Sequence, residues 1–455
     1  MNTLERRSVA ALASVYATRM LGLFMVLPVF VLLGEDLKGA TPALLGFAIG
    51  AYGLSQALLQ IPFGLLSDRV GRKRMIYIGL VLFCAGSLLA AATDSIYVVI
   101  LGRILQGAGA VASVLMALLS DLTREEQRTK AMATIGISIG LSFSLSLVLG
   151  PLLGSLFGLS GIFFATAILG ALAILVVWKL VPDPRRRVIS ADTHPAGKML
   201  GQVLGSGRLL RLDFGIFALH LVLTAVFLVV PSLLQDQLAM PSAHHWWFYL
   251  TVMVTSFFAM VPFIIIGEKY RKMKPVFSGA VLLLGLSVAA LTGVGSSFWL
   301  AWGALFFFFM AFNLLEASLP SLVSKEAPAA SKGTAMGVYS TSQFSGAFLG
   351  GTIGGLLLET QGAGGVLWFM VVVIAAWLLV ALTMPSPSYT TSFVVQLQQN
   401  RQTFDDVDVA LRQLPGVRDV VIVGEAGTAY LKIDKQQFDE QRLADMSFVR
   451  QAGTG

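Results

Sequence analysis

Apolar stretches long enough to cross a membrane recur along most of this 455-residue chain, and no other feature restricts its fold as strongly. An α-helix rises about 1.5 Å per residue, so about twenty residues span a bilayer core of about 30 Å. Apolar residues make up 56% of the chain and charged residues 13%, about half of the usual charged share of ~25%. These features predict an all-α polytopic membrane protein and exclude a soluble, disordered or disulfide-rich chain.

Twelve spans are predicted from these stretches. The first begins at Val9 and is too long for the core of a signal peptide, so it is taken as a retained helix. With the N-terminus in the cytoplasm, the segments on that side carry 22 Lys and Arg residues, Lys179 included, whereas the other side carries Lys38 alone. This asymmetry follows the positive-inside rule and predicts that both chain ends are cytoplasmic. The predicted spans are 9–33, 43–66, 75–93, 96–119, 131–157, 160–181, 212–238, 245–267, 275–294, 297–322, 333–358 and 364–384.

A long connection over 182–211 divides the spans into two groups of six, within residues 1–181 and 212–384. The two halves share weak similarity, because Ile61-Pro62-Phe63 recurs 200 residues later as Val261-Pro262-Phe263. Two six-helix bundles in the same orientation are typical of a secondary transporter. The connection is therefore interpreted as a cytoplasmic linker.

The loop between the second and third spans carries the most specific motif, reading G-L-L-S-D-R-V-G-R-K-R from Gly64 to Arg74. It resembles the signature loop of the major facilitator superfamily. In that family the acid at the position of Asp68 is thought to engage the neighbouring bundle near the start of the eleventh helix. Arg69 is expected to complete a charge relay with Asp121. The resemblance thus implies a conformational latch that comprises Gly64, Asp68, Arg69, Gly71, Arg72, Lys73 and Asp121. An alternative role for the three basic residues that end the loop is to anchor topology and contact anionic lipid headgroups.

Two further motifs resemble the same family. The fourth span contains R-I-L-Q-G-A-G-A from Arg103, similar to the family's helix-4 arginine motif, and the fifth contains Gly150-Pro151-Leu152-Leu153-Gly154, which resembles part of a motif of proton-coupled antiporters. The resemblance covers residues 9–384 and implies a proton-coupled antiporter of the bacterial inner membrane that exports small amphipathic compounds or drugs by alternating access. The second-half copy of the signature loop departs from the pattern, with Ile264 and Arg271 in place of its glycines.

A few polar side chains are predicted to lie deep within the spans. Ionisable groups are costly in hydrocarbon and therefore normally face a cavity or a partner. Arg103 shares a helix face with Gln106, and Glu316 shares one with Asn313. A central cavity is therefore predicted in which Glu316 carries a proton, with a structural interhelical pair as the alternative role for each group. The candidates are Arg19, Arg103, Gln106, His220, Asn313 and Glu316, of which His220 is interpreted first as a helix contact.

The composition changes after the spans, since residues 389–455 hold 7 Lys and Arg and 9 Asp and Glu. The pattern strand, helix, strand, strand, helix predicts a small α+β ferredoxin-like domain. It is similar to heavy-metal-associated domains, but Cys84 is the only cysteine of the chain, so no metal is expected. A last strand near 447–450 is doubtful, and the sheet edge is expected to be incomplete or completed by another chain.

The expected partners are a small-molecule cargo, protons and the bilayer, without nucleic acid and without a cofactor. No nucleotide-phosphate loop is present, so an ion gradient is expected to supply the energy. The acidic C-terminal domain is expected to dock weakly on the basic cytoplasmic face of its own chain. The alternative function is a membrane sensor that signals through this domain. An enzyme is disfavoured, because no nucleophile, base and orienter occur together among the inward residues.

Overall fold

The structure is a computed structural model that describes residues 1–183, 196–328, 331–386, 391–397, 404–423, 427–434, 437–446 and 448–454. The helices of its membrane part are α1 Thr3–Phe24, α2 Phe30–Gly34, α3 Pro42–Val70, α4 Arg72–Ala91, α5 Ile96–Ala108, α6 Ala112–Leu122, α7 Glu125–Leu180, α8 Ala196–Leu204, α9 Gly207–Ser232, α10 His245–Lys269, α11 Met273–Leu291, α12 Phe298–Glu326 and α13 Lys332–Leu382. The linker predicted over 182–211 includes α8 and the start of α9, and its residues 184–195 lie outside the described part.

The chain reverses direction at glycines within α7 and α13. Gly158 and Gly362 have φ values of +66° and +71°, in the left-handed region that favours glycine. Residues 150 and 166 would be about 24 Å apart in a straight helix. Yet Gly150 packs against Met25, directly after α1, and Thr166 packs against Gly22 of α1, about one turn earlier. Each of the two long helices is therefore a helical hairpin that supplies two spans.

Twelve spans result in the described part of the chain. Nine helical segments are long and apolar enough to cross a membrane, and two of these are the hairpins. The remaining crossing consists of α1 and α2, which are separated near Pro28 because proline cannot donate a helical hydrogen bond. The predicted fold class, two six-helix bundles with a small α+β domain, is confirmed.

The buried apolar clusters show which end of the molecule is closed. One end carries the loops that follow α3, α6, α10 and α12 and is called the basic face; the other is called the opposite face. One hydrophobic cluster joins both bundles: its first-bundle residues, such as Phe143, lie toward the opposite face, and its second-bundle residues, such as Phe309, extend through the whole bundle. Toward the basic face a separate cluster around Leu115 contains first-bundle residues only. The bundles are thus sealed together at the opposite face and separated at the basic face.

The C-terminal domain contains an antiparallel four-stranded sheet in the order β2-β3-β1-β4. Its strands and helices are β1 Thr391–Leu397, α14 Phe404–Arg412, β2 Val417–Val423, β3 Thr428–Ile433, α15 Glu440–Ala444 and β4 Val449–Thr454. The expectation of an incomplete edge is wrong, since β4 pairs with β1 from Phe393 to Leu397. The strand was doubtful because its sequence V-R-Q-A-G-T alternates poorly. The turn between β2 and β3 includes residues 424–426, which lie outside the described part.

Candidate functional site

The latch loop, residues 64–74, reverses the chain between α3 and α4 through a single residue. Gly71 adopts a φ of +109°, which a residue with a side chain rarely adopts. As a result, α4 begins at Arg72 directly after α3 ends at Val70. The basic residues that follow are held at the start of α4, next to the ends of α3 and α6.

Arg72 is the centre of the polar contacts in the latch loop. Its guanidinium lies 2.6 Å from Asp68 and 3.3 Å from Asp121 at the end of α6, and it donates a 2.6 Å hydrogen bond to Ser67. Lys73 donates to the carbonyl of Val181 at 2.9 Å. The loop is therefore tied to the ends of α6 and α7, all within the first bundle. The residue against Asp121 is Arg72 rather than Arg69.

Asp68 makes no contact with the second bundle in the part of the chain that the structure describes. Its carboxylate is 54% exposed and pairs with Arg72 of its own loop. Gly64, one turn before it in α3, packs loosely next to Ser113. In this state the predicted latch between the bundles is open.

Two arginines are buried in the first bundle and hydrogen bond to neutral groups. Arg19 of α1 donates to the Tyr52 hydroxyl at 2.9 Å and to the Gln56 amide oxygen at 2.7 Å. Arg103 of α5 donates to Gln106 at 2.8 Å and stacks on the Tyr52 ring, with its Cζ 5.1 Å from the ring centre. Among the described residues neither arginine forms an ion pair, so Tyr52 bridges two uncompensated positive charges.

Glu316 of α12 lies in a polar cluster of the second bundle. The Gln343 amide nitrogen is 2.8 Å from His220 Nε2 and 3.5 Å from Glu316 Oε1. Because the Gln343 amide donates to His220 Nε2, the proton of the neutral imidazole is assigned to Nδ1. His220 Nδ1 lies 3.8 Å from Glu316 Oε2. The Glu316 side chain is 30% exposed, which places it at the edge of the gap between the bundles. Asn313, one turn away, has a buried amide nitrogen without a hydrogen-bond partner.

Asp213, which was not predicted from the sequence, lies beneath this cluster toward the basic face. Asp213 is 4% exposed, and neither of its carboxylate oxygens has a partner among the described residues. Tyr339 of α13 lies within electrostatic range of both Asp213 and Glu316. Asp213 was overlooked because the seventh span was predicted to begin at residue 212, at the membrane edge. Its seven-residue spacing from His220, two helical turns on one face, is the signal that could have identified it.

Aromatic side chains line the contact between the bundles at mid-depth. Phe143 of α7 packs against Phe312 and Phe309 of α12, with ring centres 5.5 and 6.3 Å apart. Tyr52 lies 6.4 Å from Phe344 of α13. Tyr52, which contacts both buried arginines, thus lies at the contact between the bundles, with aromatic rings between it and the Glu316 cluster.

A glycine seam closes the opposite face, where α3 crosses α13. Any side chain at Gly46 or Gly50 would collide with the backbone of α13, and one at Gly351 or Gly355 would collide with α3. Glycine is required here because the backbones touch. Glu359 of α13 also accepts a 2.9 Å hydrogen bond from the Ala43 backbone amide in the first turn of α3.

The antiporter-like motif in α7 packs against the break between α1 and α2. A side chain at Gly150 would collide with the Met25 carbonyl, and one at Gly154 would press on Leu33. Pro151 is buried between them. The motif thus allows α7 to pack closely against the interrupted first span.

The C-terminal domain contacts the second bundle through polar groups. Arg271, in the loop between α10 and α11, forms hydrogen bonds of 3.1 and 2.6 Å with the Asp434 carboxylate. Lys432 of β3 donates to the Lys325 carbonyl at 2.8 Å and to the Ala327 carbonyl. No group of acidic, His or Cys side chains suited to a metal occurs in the described residues.

Comparison with known proteins identifies the family. The Major Facilitator Superfamily profile matches residues 12–351. The inner membrane transport protein YajR of Escherichia coli (strain K12) is 47% identical over 433 residues, which cover 95% of each chain. The quinolone resistance protein NorA of Staphylococcus aureus (strain MSSA476) is 25% identical over 350 residues, 75% of this chain and 87% of NorA.

A solved structure has the same fold. It is a bacterial homolog of the human lysosomal transporter Spinster in an inward-facing, occupied conformation. It matches with a TM-score of 0.67 at 14% identity, over 85% of this chain and 98% of its own.

Proposed function

The chain belongs to the major facilitator superfamily, and we propose that it works as a proton-coupled antiporter that exports small amphipathic compounds by alternating access. It is a multi-pass transporter of the inner membrane, and the prediction that it is not an enzyme is confirmed by its family. The observation that carries the proposal is the partly exposed Glu316 carboxylate, which lies between His220 and Gln343 at the gap between the bundles.

The positive-inside rule assigns the basic face to the cytoplasm, with both chain ends on that side. The bundles are sealed by the glycine seam at the opposite face and separated at the basic face. On this assignment the present conformation is open to the cytoplasm. Cargo enters the gap from that side, and the switch to the other state breaks the seam.

Glu316 is the proposed proton carrier. Its Oε2 is buried without a hydrogen-bond partner, whereas the carboxylate edge reaches the gap. A protonated carboxyl group can donate from Oε2 and remain neutral in a poorly hydrated state. His220 and Gln343 position this group, and Arg19 and Arg103 supply positive charge from the opposite wall. If the proton and the cargo compete for the same gap, the movement of one is coupled to the movement of the other.

The cargo class follows from the walls of the gap. Phe143 packs on Phe312, and Tyr52 packs on Phe344, across the contact between the bundles. Where the bundles part, these rings would offer aromatic surface, and the neighbouring arginine and glutamate clusters would offer polar ends. This combination suits small molecules with an apolar body and a polar or charged group. The similarity to a quinolone resistance protein supports an export function for this class.

The latch loop is proposed to close the cytoplasmic end in the other state. Asp68 would then leave Arg72 and bind the first turn of α13, where backbone amides and the helix dipole favour a carboxylate. Gly64 and Gly71 permit the close approach of the loop, and Arg72 and Lys73 tie it to Asp121 and the end of α7. Its open arrangement here is consistent with a cytoplasm-open state.

The proposal is tested by flux into proteoliposomes under an imposed pH gradient, over a panel of fluorescent amphipathic cations, anions and neutral dyes. The Glu316→Gln variant is expected to lose more than about tenfold of gradient-driven uptake, the loss expected when an essential proton carrier is removed. It should retain cargo exchange across membranes without a gradient, since exchange needs no net proton movement.

Asp236→Asn is the matched control. Asp236 is exposed and lies in the segment Leu233–Gln237 that follows α9, away from the cluster around Glu316. It should behave as the parent does. Gradient-driven uptake by Glu316→Gln equal to that of the parent would reassign Glu316 to packing or cargo contact.

We infer also that the C-terminal domain docks on the cytoplasmic face of the second bundle, which the Arg271 and Asp434 contact supports. The same contact favours the alternative function, a membrane sensor whose occupancy is reported through this domain. A sensor would bind cargo without moving it in the flux assay, whereas a regulated transporter moves cargo.

A further inference from the structure

The loop between α10 and α11 is the second-half copy of the latch loop, and its contacts are different. At the position equivalent to Gly71 stands Arg271, which keeps a left-handed backbone with a φ of +56°. A residue with a side chain rarely adopts this conformation, which glycine adopts without strain. The side chain that stands here in place of a hydrogen atom makes a contact that glycine could not make.

What Arg271 binds is the C-terminal domain. Its guanidinium forms a two-pronged ion pair with Asp434, at 2.6 and 3.1 Å, and the Asp434 side chain is 11% exposed. Such a pair fixes orientation as well as distance. Asp434 follows β3 directly, where its backbone amide also bonds to the Gly416 carbonyl at 2.7 Å. The acid is thus part of the rigid frame of the domain.

A second contact holds the domain two residues earlier along β3. Lys432 donates to the carbonyls of Lys325 and Ala327, at the C-terminal end of α12. A helix C-terminus carries partial negative charge and unpaired carbonyls, so a lysine is favoured there. Partial burial lowers the pKa of Lys432, because the ammonium group loses water. Lys432 also lies within electrostatic range of Lys332, the first residue of α13.

We propose that the loop between α10 and α11, with the end of α12, is the receptor surface for the C-terminal domain, and that the docked domain favours the cytoplasm-open state. Among the described residues the polar contacts of the domain given above all go to the second bundle, and Lys432 lies near the start of α13. That is the place which the latch loop must reach to close the cytoplasmic side. The second part of this inference rests on the latch role given under Proposed function, and the first part does not.

The described contacts of the interface are polar, which suits reversible docking. In the described part of the chain the domain has its own hydrophobic cluster around Phe393 and Leu431, which includes no membrane helix. Release therefore does not open this cluster, and the ion pair and the Lys432 contact both contribute to the docking equilibrium.

The test measures two distances by electron paramagnetic resonance in nanodiscs, on the full chain with Cys84→Ser. One spin-label pair, at Lys274 and Gln441, reports docking. The other, at Leu66 and Gly333, reports the width of the cytoplasmic opening. Neither distance requires cargo or a proton gradient, so the outcome does not depend on whether the antiport proposal holds.

Arg271→Gly is the main variant, because glycine keeps the left-handed backbone without strain. The ratio of docked to undocked protein is expected to fall about tenfold, as for the loss of a well-formed charged pair. The opening should become narrower on average. Asp434→Asn should give the same two changes, and the exchanged pair Arg271→Asp with Asp434→Arg should restore docking in part.

Asp94→Asn is the control. It removes a 2.5 Å surface ion pair with Lys38 at the opposite face, remote from the domain, and it should change neither distance. Unchanged docking in both Arg271→Gly and Asp434→Asn would overturn the receptor surface. Undocking with an unchanged opening would overturn the effect on conformation.

Discussion

At the residue scale, the two bundles treat buried charge differently. In the first bundle Arg19 and Arg103 hydrogen bond to neutral acceptors, and in the second Glu316 and Asp213 have no Lys or Arg partner among the described residues. Each isolated charge would be costly in a bilayer. Of these groups Glu316 reaches the gap between the bundles, so a cargo or a proton that enters the gap changes the electrostatic balance at Glu316 first.

Glu5 provides a residue-scale prediction outside the apolar spans. It accepts hydrogen bonds from Arg124, with Nε at 2.9 Å, and from the Asn2 amide at 2.7 Å, so it ties the start of α1 to the loop before α7. The hydrogen bond from Arg124 is the main cause that lowers the pKa of Glu5 to about 2 from 4.5, against the effect of burial. Glu5→Gln is therefore expected to reduce stability at neutral pH by about 1 kcal/mol, since the Arg124 side chain is largely exposed.

The pH dependence of this effect has a definite sign. Because the pKa of Glu5 is lower in the folded protein, the ionised carboxylate stabilises the fold at pH values above its unfolded pKa of 4.5. This contribution is lost as the pH falls toward about 2. The difference in apparent melting temperature between parent and Glu5→Gln should therefore be constant above pH 5 and shrink below it. Glu35→Gln, at an exposed loop position, is the control. A constant difference down to pH 3 would contradict the assignment.

The site was predictable from sequence where a residue type is rare in its surroundings. Arg19, Arg103 and Glu316 were identified because a charge within an apolar span has few explanations. The partner of Asp121 was less predictable. Arg69 and Arg72 both follow α3, and only the sharp turn at Gly71 decides which guanidinium points toward α6.

At the element scale, α3 and α13 meet twice in the proposed transport cycle. At the opposite face Glu359, near the end of the first arm of α13, binds the first turn of α3. At the basic face Asp68, near the end of α3, is proposed to bind the first turn of α13. Each contact joins a carboxylate to a helix N-terminus, and each can form only when its own side of the molecule is closed.

Neutralising the two acids should therefore shift the conformational equilibrium in opposite directions. Glu359→Gln weakens the closed opposite face, and Asp68→Asn weakens the proposed cytoplasmic closure, each by about 0.5–1 kcal/mol, or a few-fold in population. Thiol labelling of a single cysteine at Phe47, in the seam, should become faster in Glu359→Gln. Labelling at Gly337, which faces open space, should become faster in Asp68→Asn. Shifts in the same direction would refute the reciprocal relation.

Element boundaries were predictable where the hydrophobic pattern ends abruptly. The fifth and sixth spans, and the eleventh and twelfth, were separated correctly although only one glycine of positive φ divides each pair. The last strand was not predicted, since its pairing with β1 depends on a neighbour distant in sequence. The break of the fourth span between α5 and α6 was also missed, because its residues Gly109 to Val111 continue the apolar run.

At the scale of the whole molecule, the second bundle carries the proposed proton site and the soluble domain, whereas the first carries the latch loop and the arginine network. Alternating access is a movement of one bundle relative to the other. A domain bound to one bundle moves with it and can obstruct the other without contacting cargo. It should therefore alter the rate of transport while leaving its chemistry unchanged.

Ending the chain at residue 387 tests this division. The truncated protein should insert, fold and transport the same cargo with the same proton dependence, because no described residue of the membrane clusters belongs to the domain. Its cytoplasmic opening should be narrower on average, and its transport rate should change. Full-length Arg271→Gly should reproduce both changes, since both variants remove the contact between Arg271 and Asp434. The measurements are initial flux in proteoliposomes and the spin-label distance between Leu66 and Gly333.

A truncated protein that inserts normally but moves no cargo under any condition in which the parent works would make the domain part of the transport machinery. If truncation changes the opening or the transport rate and Arg271→Gly does not, the domain acts through a contact other than the one made by Asp434.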